Sequence, residues 1–89
     1  MTHIVKRRGH SEPFDGRKIY ASCYAACRNA HLSEMLSEDI SDNVQKRIEK
    51  WISKKQGVSS EEIFQESISV LKDLHPDAAF LFETHRDIS

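Results

Sequence analysis

Eighty-nine residues, 38% of them apolar and 30% charged, suffice for one domain with a single modest core. No apolar run approaches the ~20 residues a membrane helix needs, and Met1 to Gly9 lack a secretory leader pattern, so the expected location is the cytoplasm. A net charge of −1 argues against a dedicated nucleic-acid binder, since such domains carry a clear basic excess.

The charge is unevenly spread. Residues 1–18 hold five Lys or Arg and two acids, a local +3, whereas residues 19–89 hold eight and twelve, or −4. In this opening stretch residues 3–7 and 10–14 read as a short hairpin turning near Arg8 and Gly9. Pro13 marks the second strand as an edge or its end. Asp15 follows as a helix N-cap, which puts Arg17 and Lys18 in the first helical turn. Acids usually occupy that turn because the helix dipole is positive there. Two cations there, with Lys6, Arg7 and Arg8 across the hairpin, make a region of positive potential suited to an anionic guest. Glu12 either pairs with one of these cations, Arg17 among them, or accepts hydrogen bonds from a ligand. Phe14 and Ile4 supply an apolar wall. Together they suit a nucleotide, phosphates on the cations and a base against Phe14 and Ile4. The competing reading makes Lys6, Arg7 and Arg8 a charged edge that discourages strand pairing.

The first helix is expected from the Asp15 cap to about Ala30, burying a stripe of Ile19, Cys23, Ala26, Cys27 and Ala30 at helical spacing. Cys23 and Cys27, four apart on one helix face, lack the geometry for a mutual disulfide and read as small buried apolar residues. A connection from His31 to Ser37 offers two N-caps, Ser33 and Ser37. The second helix places Leu36, Ile40, Val44, Ile48, Trp51 and Ile52 on its apolar face, with Gly57 as its C′ residue. Its Lys46, Lys50, Lys54 and Lys55 read as a solvated helix end. Val58 fits a minimal third strand. Ser59 and Glu62 form an S-x-x-E capping box opening a third helix that ends before His75-Pro76. Pro76 begins a fourth helix running to about Arg86, beyond which the chain should fray.

The string VKRRGHSEPFDGRKI resembles the opening of the ATP-cone domain, a V-x-K-R-x-G-x-x-E-x-F-x-x-x-K-I run. The G-x-x-x-x-E-I run from Gly57 to Ile63 resembles that module's strand-to-helix junction. HPDAAFLFETHR resembles its last helix, H-P-x-V-A-x-x-Y-x-x-Y-R, with Phe82 and His85 standing at the two tyrosine positions. The likeness spans residues 3–86. It implies a single α+β domain over 1–89: a small four-helix bundle capped by a short three-stranded sheet, the N-terminal hairpin plus a third strand. It also implies a ligand, ATP or dATP with Mg²⁺ as an accompanying ion. Lys6, Arg7 and Lys18 match the family's phosphate contacts, Glu12 its glutamate near the adenine, and Ile4 and Ile19 the base pocket. Ser60 matches a hydroxyl position after the third strand, and Arg86 a C-terminal basic residue that reaches phosphates or, alternatively, complements a helix dipole. Phe64 and His85 depart from the family pattern, which leaves the ribose side and the pocket floor open.

No phosphate-cradling G-x-x-x-x-G-K-[ST] loop, no G-x-S-x-G elbow and no cysteine beside a base occurs, so binding without turnover is expected. In the family this module is joined to a catalytic or DNA-binding partner. This chain carries neither, so it is expected to act in trans, as a homo-oligomer or on a protein partner, or as an excised domain. The alternative is a helical adaptor that keeps the fold and has lost nucleotide binding, or a transcription-regulator fragment contacting DNA through Lys6, Arg7 and Arg8.

Overall fold

The computed structural model describes residues 3–5, 11–55 and 57–84, with side chains from Phe14 onward. Two strands, β1 (His3–Val5) and β2 (Ser11–Pro13), precede α1 (Gly16–Asn29) and α2 (Glu34–Ile52). A third strand, β3 (Gly57–Ser59), runs directly into α3 (Ser60–Leu74), and α4 (Pro76–Thr84) follows. β1 lies between the other two, antiparallel to β2 and parallel to β3.

The expected α+β architecture, a bundle capped by a three-stranded sheet, is corrected. From Phe14 onward the described chain is 81% helical and contains a single strand, the three-residue β3. Among the described residues the paired strands touch the helices extensively only where β3 meets α3. Strands of three residues, about 10 Å long, are too short to cover helices of 14 and 19 residues. The fold is a helical bundle, and its core is made by the helices with Val58 of β3.

That core gathers Ile19, Cys23, Ala26 and Cys27 from α1 and Ile40, Val44, Ile48 and Ile52 from α2. Val58 of β3, Ile63, Val70 and Leu71 of α3, and Ala78, Ala79 and Phe82 of α4 complete it. Both cysteines are free and buried, and burial pushes the Cys23 thiol up to about 12. α1 and α2 make the most extensive helix contact. It is close at the start of α1, where a Cβ on Gly16 would lie 2.7 Å from Glu49 Oε2 and 2.8 Å from Gln45 Nε2.

Local chemistry sets the helix ends. α1 stops in a Schellman arrangement: Leu32 N–H donates to Cys27 O at 3.1 Å and His31 N–H to Arg28 O at 3.0 Å. His31 sits at the left-handed position with φ 66°, where glycine is more usual. Of the two expected caps for α2, Ser33 is used, accepting from Leu36 N–H at 3.1 Å, while Ser37 is buried within the helix. The Ser59–Glu62 capping box forms as expected. His75 both ends α3 and starts α4, since its Nδ1 accepts the Ala78 N–H at 3.2 Å.

Two further expectations are corrected, at Gly57 and at Leu36. α2 ends at Ile52 with Ser53 as its cap, the Ser53 hydroxyl donating to Lys50 O at 2.7 Å, so Gly57 is a strand residue rather than a helix C′. Leu36 is 42% exposed, because the buried face of α2 runs through Ser37 and Ser41 instead. Trp51 packs against the core as its place on the apolar face implies, half-buried, with the Lys55 ammonium 4.9 Å from its ring centre. The end of the fourth helix, with His85 and Arg86, lies outside the described residues, as do residues 6–10 of the hairpin.

Ile48, wholly buried, should lose about 2–5 kcal/mol of stability on substitution to Ala. Trp51→Ala, half-exposed, should lose less than about 3 kcal/mol. Urea unfolding of both variants against the parent measures the difference, and equal losses would contradict the burial described.

Candidate functional site

The sequence expectation centres on the start of α1 and the strands beside it. β2 delivers the chain to Phe14 and Asp15, and Asp15 caps α1 by accepting the Arg17 N–H at 3.0 Å. The Arg17 side chain turns back on the same carboxylate, Nε to Oδ1 at 3.1 Å and Nη2 to Oδ2 at 3.3 Å. This bidentate pairing, followed by the backbone bond, holds the Asp15 carboxyl below its ordinary value of 3.8 and raises Arg17 in return. One of the two first-turn cations is therefore committed to the cap. Lys18 is exposed and forms no ion pair among the described residues. Phe14 is half-buried against the core.

Ile19, expected to line a base pocket, is 8% exposed within the bundle core. Ile4 and Glu12 stand directly opposite in the β1–β2 register, and Ile4 also pairs with Val58 of β3. Ser60 is the exposed first residue of α3 and follows Ser59, the β3 partner of Val5. Because β1 and β3 are parallel, α3 starts from the end of the strands at which β1 finishes. The chain enters α1 from the other end, where His3 and Pro13 pair. The strands thus bring Ile4 and Glu12 together and lie between two helix N-termini, one next to Lys18 and the other at Ser60. Lys6, Arg7 and Arg86 lie outside the described residues.

Two features of this region were not foreseen. The Asp15–Arg17 lock was legible as an acid two residues before an arginine at a helix start, a spacing that lets the arginine fold back on its own cap. The approach of Gln45 and Glu49 to Gly16 had no local signal, since it depends on how α1 and α2 pack. Among the described residues no three His, Cys, Asp or Glu side chains are placed to hold a metal ion, and no helix is long and apolar enough to cross a membrane.

The Asp15 carboxyl should titrate below 3.8. A depressed folded-state value means that its contribution to stability is fully present above 3.8 and is lost as pH falls through the lower folded value. Carboxyl carbon shifts of Asp15 from pH 2 to 6 check this. A midpoint at or above 3.8 would remove the lock with Arg17.

A family model described as the ATP cone domain matches residues 2–81 of this chain. No curated protein matches it.

Proposed function

The chain belongs to the ATP-cone family, whose domains are regulatory nucleotide-binding modules without catalysis, and from that premise we propose that it binds ATP or dATP at the start of α1. The family match is the observation that carries this reading. Supporting it is the division of labour between the two first-turn cations: Arg17 serves the Asp15 cap, while Lys18 stands exposed at the positive end of the helix dipole.

Phosphates are held by Lys18 with Lys6 and Arg7 as charge-assisted partners, and by Arg86 from the C-terminal end. Ser60, at the N-terminus of α3, offers a hydroxyl to the sugar or phosphates. Glu12 accepts from the adenine amino group, and Ile4, Phe14 and Ile19 form the apolar side, Ile19 only through whatever edge it shows from the core. Mg²⁺ rides on the triphosphate, since the described residues offer it no set of three protein ligands. Binding without hydrolysis suits a sensor, and its output is a shift in the chain's self-association or in its grip on a protein partner. Such a shift requires that the two assembly states bind nucleotide with different affinity.

Lys18→Ala and Lys6→Ala should each weaken triphosphate binding by about 10- to 100-fold, the range for a lost charge-assisted contact, with far-ultraviolet dichroism unchanged. Isothermal titration with ATP reads the change. Equal affinity in both variants and the parent would overturn the site.

A further inference from the structure

We propose that the seam between α1 and α2 binds one internal water molecule, held by the Ser37 and Ser41 hydroxyls and tying α2 to α1. Neither serine belongs to the nucleotide site, so the proposal does not rest on the reading of that site.

Both serines are wholly buried, and neither hydroxyl has a hydrogen-bond partner among the described residues. Other hydroxyls in these helices behave differently. Ser67 donates to Ile63 O at 2.7 Å, Ser53 to Lys50 O at 2.7 Å and Thr84 to Phe80 O at 2.9 Å. That return to the preceding turn is the usual resort of a hydroxyl inside a helix. Ser37 and Ser41 forgo it although acceptors stand within reach. Ser33 O accepts the Ser37 N–H at 2.9 Å, and a carbonyl oxygen has a second lone pair to offer. The two hydroxyls therefore turn away from their own helix and into the contact with α1.

Their spacing fits a single shared guest. Side chains four apart on a helix have Cβ atoms about 5–6 Å apart. Two O–H···O bonds of about 2.8 Å each, meeting at one oxygen, span about 5.6 Å. The antiparallel register that brings Gly16 to Gln45 and Glu49 sets Cys23, about 10 Å further along α1, level with Ser41, and Cys27 level with Ser37. The thiols are weak donors, and with the two hydroxyls they supply the two to four polar partners a buried water needs. Burial pushes the Cys23 thiol up to about 12 and raises Cys27 as well, so both keep their protons at neutral pH. No charged side chain belongs to either buried face, so the guest is neutral. A satisfied buried polar group favours one arrangement of the elements packed around it. Here it fixes the register of α2 on α1.

Two measurements on the full chain test this. A high-resolution crystal structure should show one ordered water about 2.8 Å from both hydroxyl oxygens. Hydroxyls bonded instead to Ser33 O and Ser37 O, with no solvent between the helices, would overturn the proposal. In solution, thermal melts of Ser37→Ala, Ser41→Ala and the double variant close a cycle that reads the coupling between the two sites. The helix propensity gained on each Ser→Ala change enters both arms alike and cancels. Loss of either hydroxyl unseats the shared water, so the second substitution has less left to remove. The double variant should therefore melt about 4 °C or more above the value that the two single shifts add up to. Additive shifts would contradict a shared guest, because the two hydroxyls have no direct bond through which to couple.

Discussion

The close antiparallel contact between α1 and α2 is the constraint on which the rest of the structure depends. Their buried faces mix small side chains, Gly16, Cys23, Ala26 and Cys27 on one helix and Ser37 and Ser41 on the other, with Ile19 of α1 and Ile40, Val44, Ile48 and Ile52 of α2. Small residues let backbones approach, and dispersion contacts then accumulate over the whole length of the pair. The approach has a cost. The Ser37 and Ser41 hydroxyls are buried with no hydrogen-bond partner among the described residues, whereas Ser67 in α3 bonds its own helix at Ile63 O. An unsatisfied buried hydroxyl costs about 1–3 kcal/mol, which the pairing of the two helices must offset.

This contact decides what the start of α1 can present. With Gly16 pressed toward Gln45 and Glu49, the first turn is fixed against α2, and its exposed side carries Arg17 and Lys18. Asp15 then selects between them by geometry, drawing the guanidinium into a bidentate bond and leaving the ammonium without an ion-pair partner among the described residues. Lysine at the second of these positions and arginine at the first are therefore not interchangeable, because only the planar fork folds back on the cap. Tyr20 and Tyr24, one turn further along α1, stack with ring centres 6.3 Å apart. The Tyr20 hydroxyl is pushed up by partial burial, then by Glu38 and Asp42, which places those two acids near it.

Helix positions were legible because their signals are local. The Asp15 cap, the Ser59–Glu62 box and the His75-Pro76 break each act within four residues, and all three stand where the sequence puts them. The burial of Cys23 and Cys27 followed from helical spacing alone. What escaped the sequence depends on packing between elements. Leu36 fits the apolar stripe on paper, but the stripe that packs is displaced by one position to Ser37, and polarity gave no reason to expect a serine there. The expected cap of strands failed on a related point, since a three-residue strand is recognisable by pattern while its reach over a helix is set by tertiary contacts. Of the opening cations, Arg17 and Lys18 lie among the described residues, and the sequence set both toward an anionic guest. That Arg17 would leave it for its own cap was not read, although the Asp15–Gly16–Arg17 string contains the information.

The central claim is that an adenine nucleotide binds where the strands meet the N-termini of α1 and α3, and an amide NMR titration tests it most directly. The chain would be titrated separately with ATP, dATP, GTP and inorganic triphosphate. The account predicts saturable shifts at Glu12, Lys18 and Ser60 with the two adenine nucleotides, and weaker or absent shifts with triphosphate alone. No shift at these residues at millimolar ATP or dATP, or shifts of equal size with triphosphate, would contradict it.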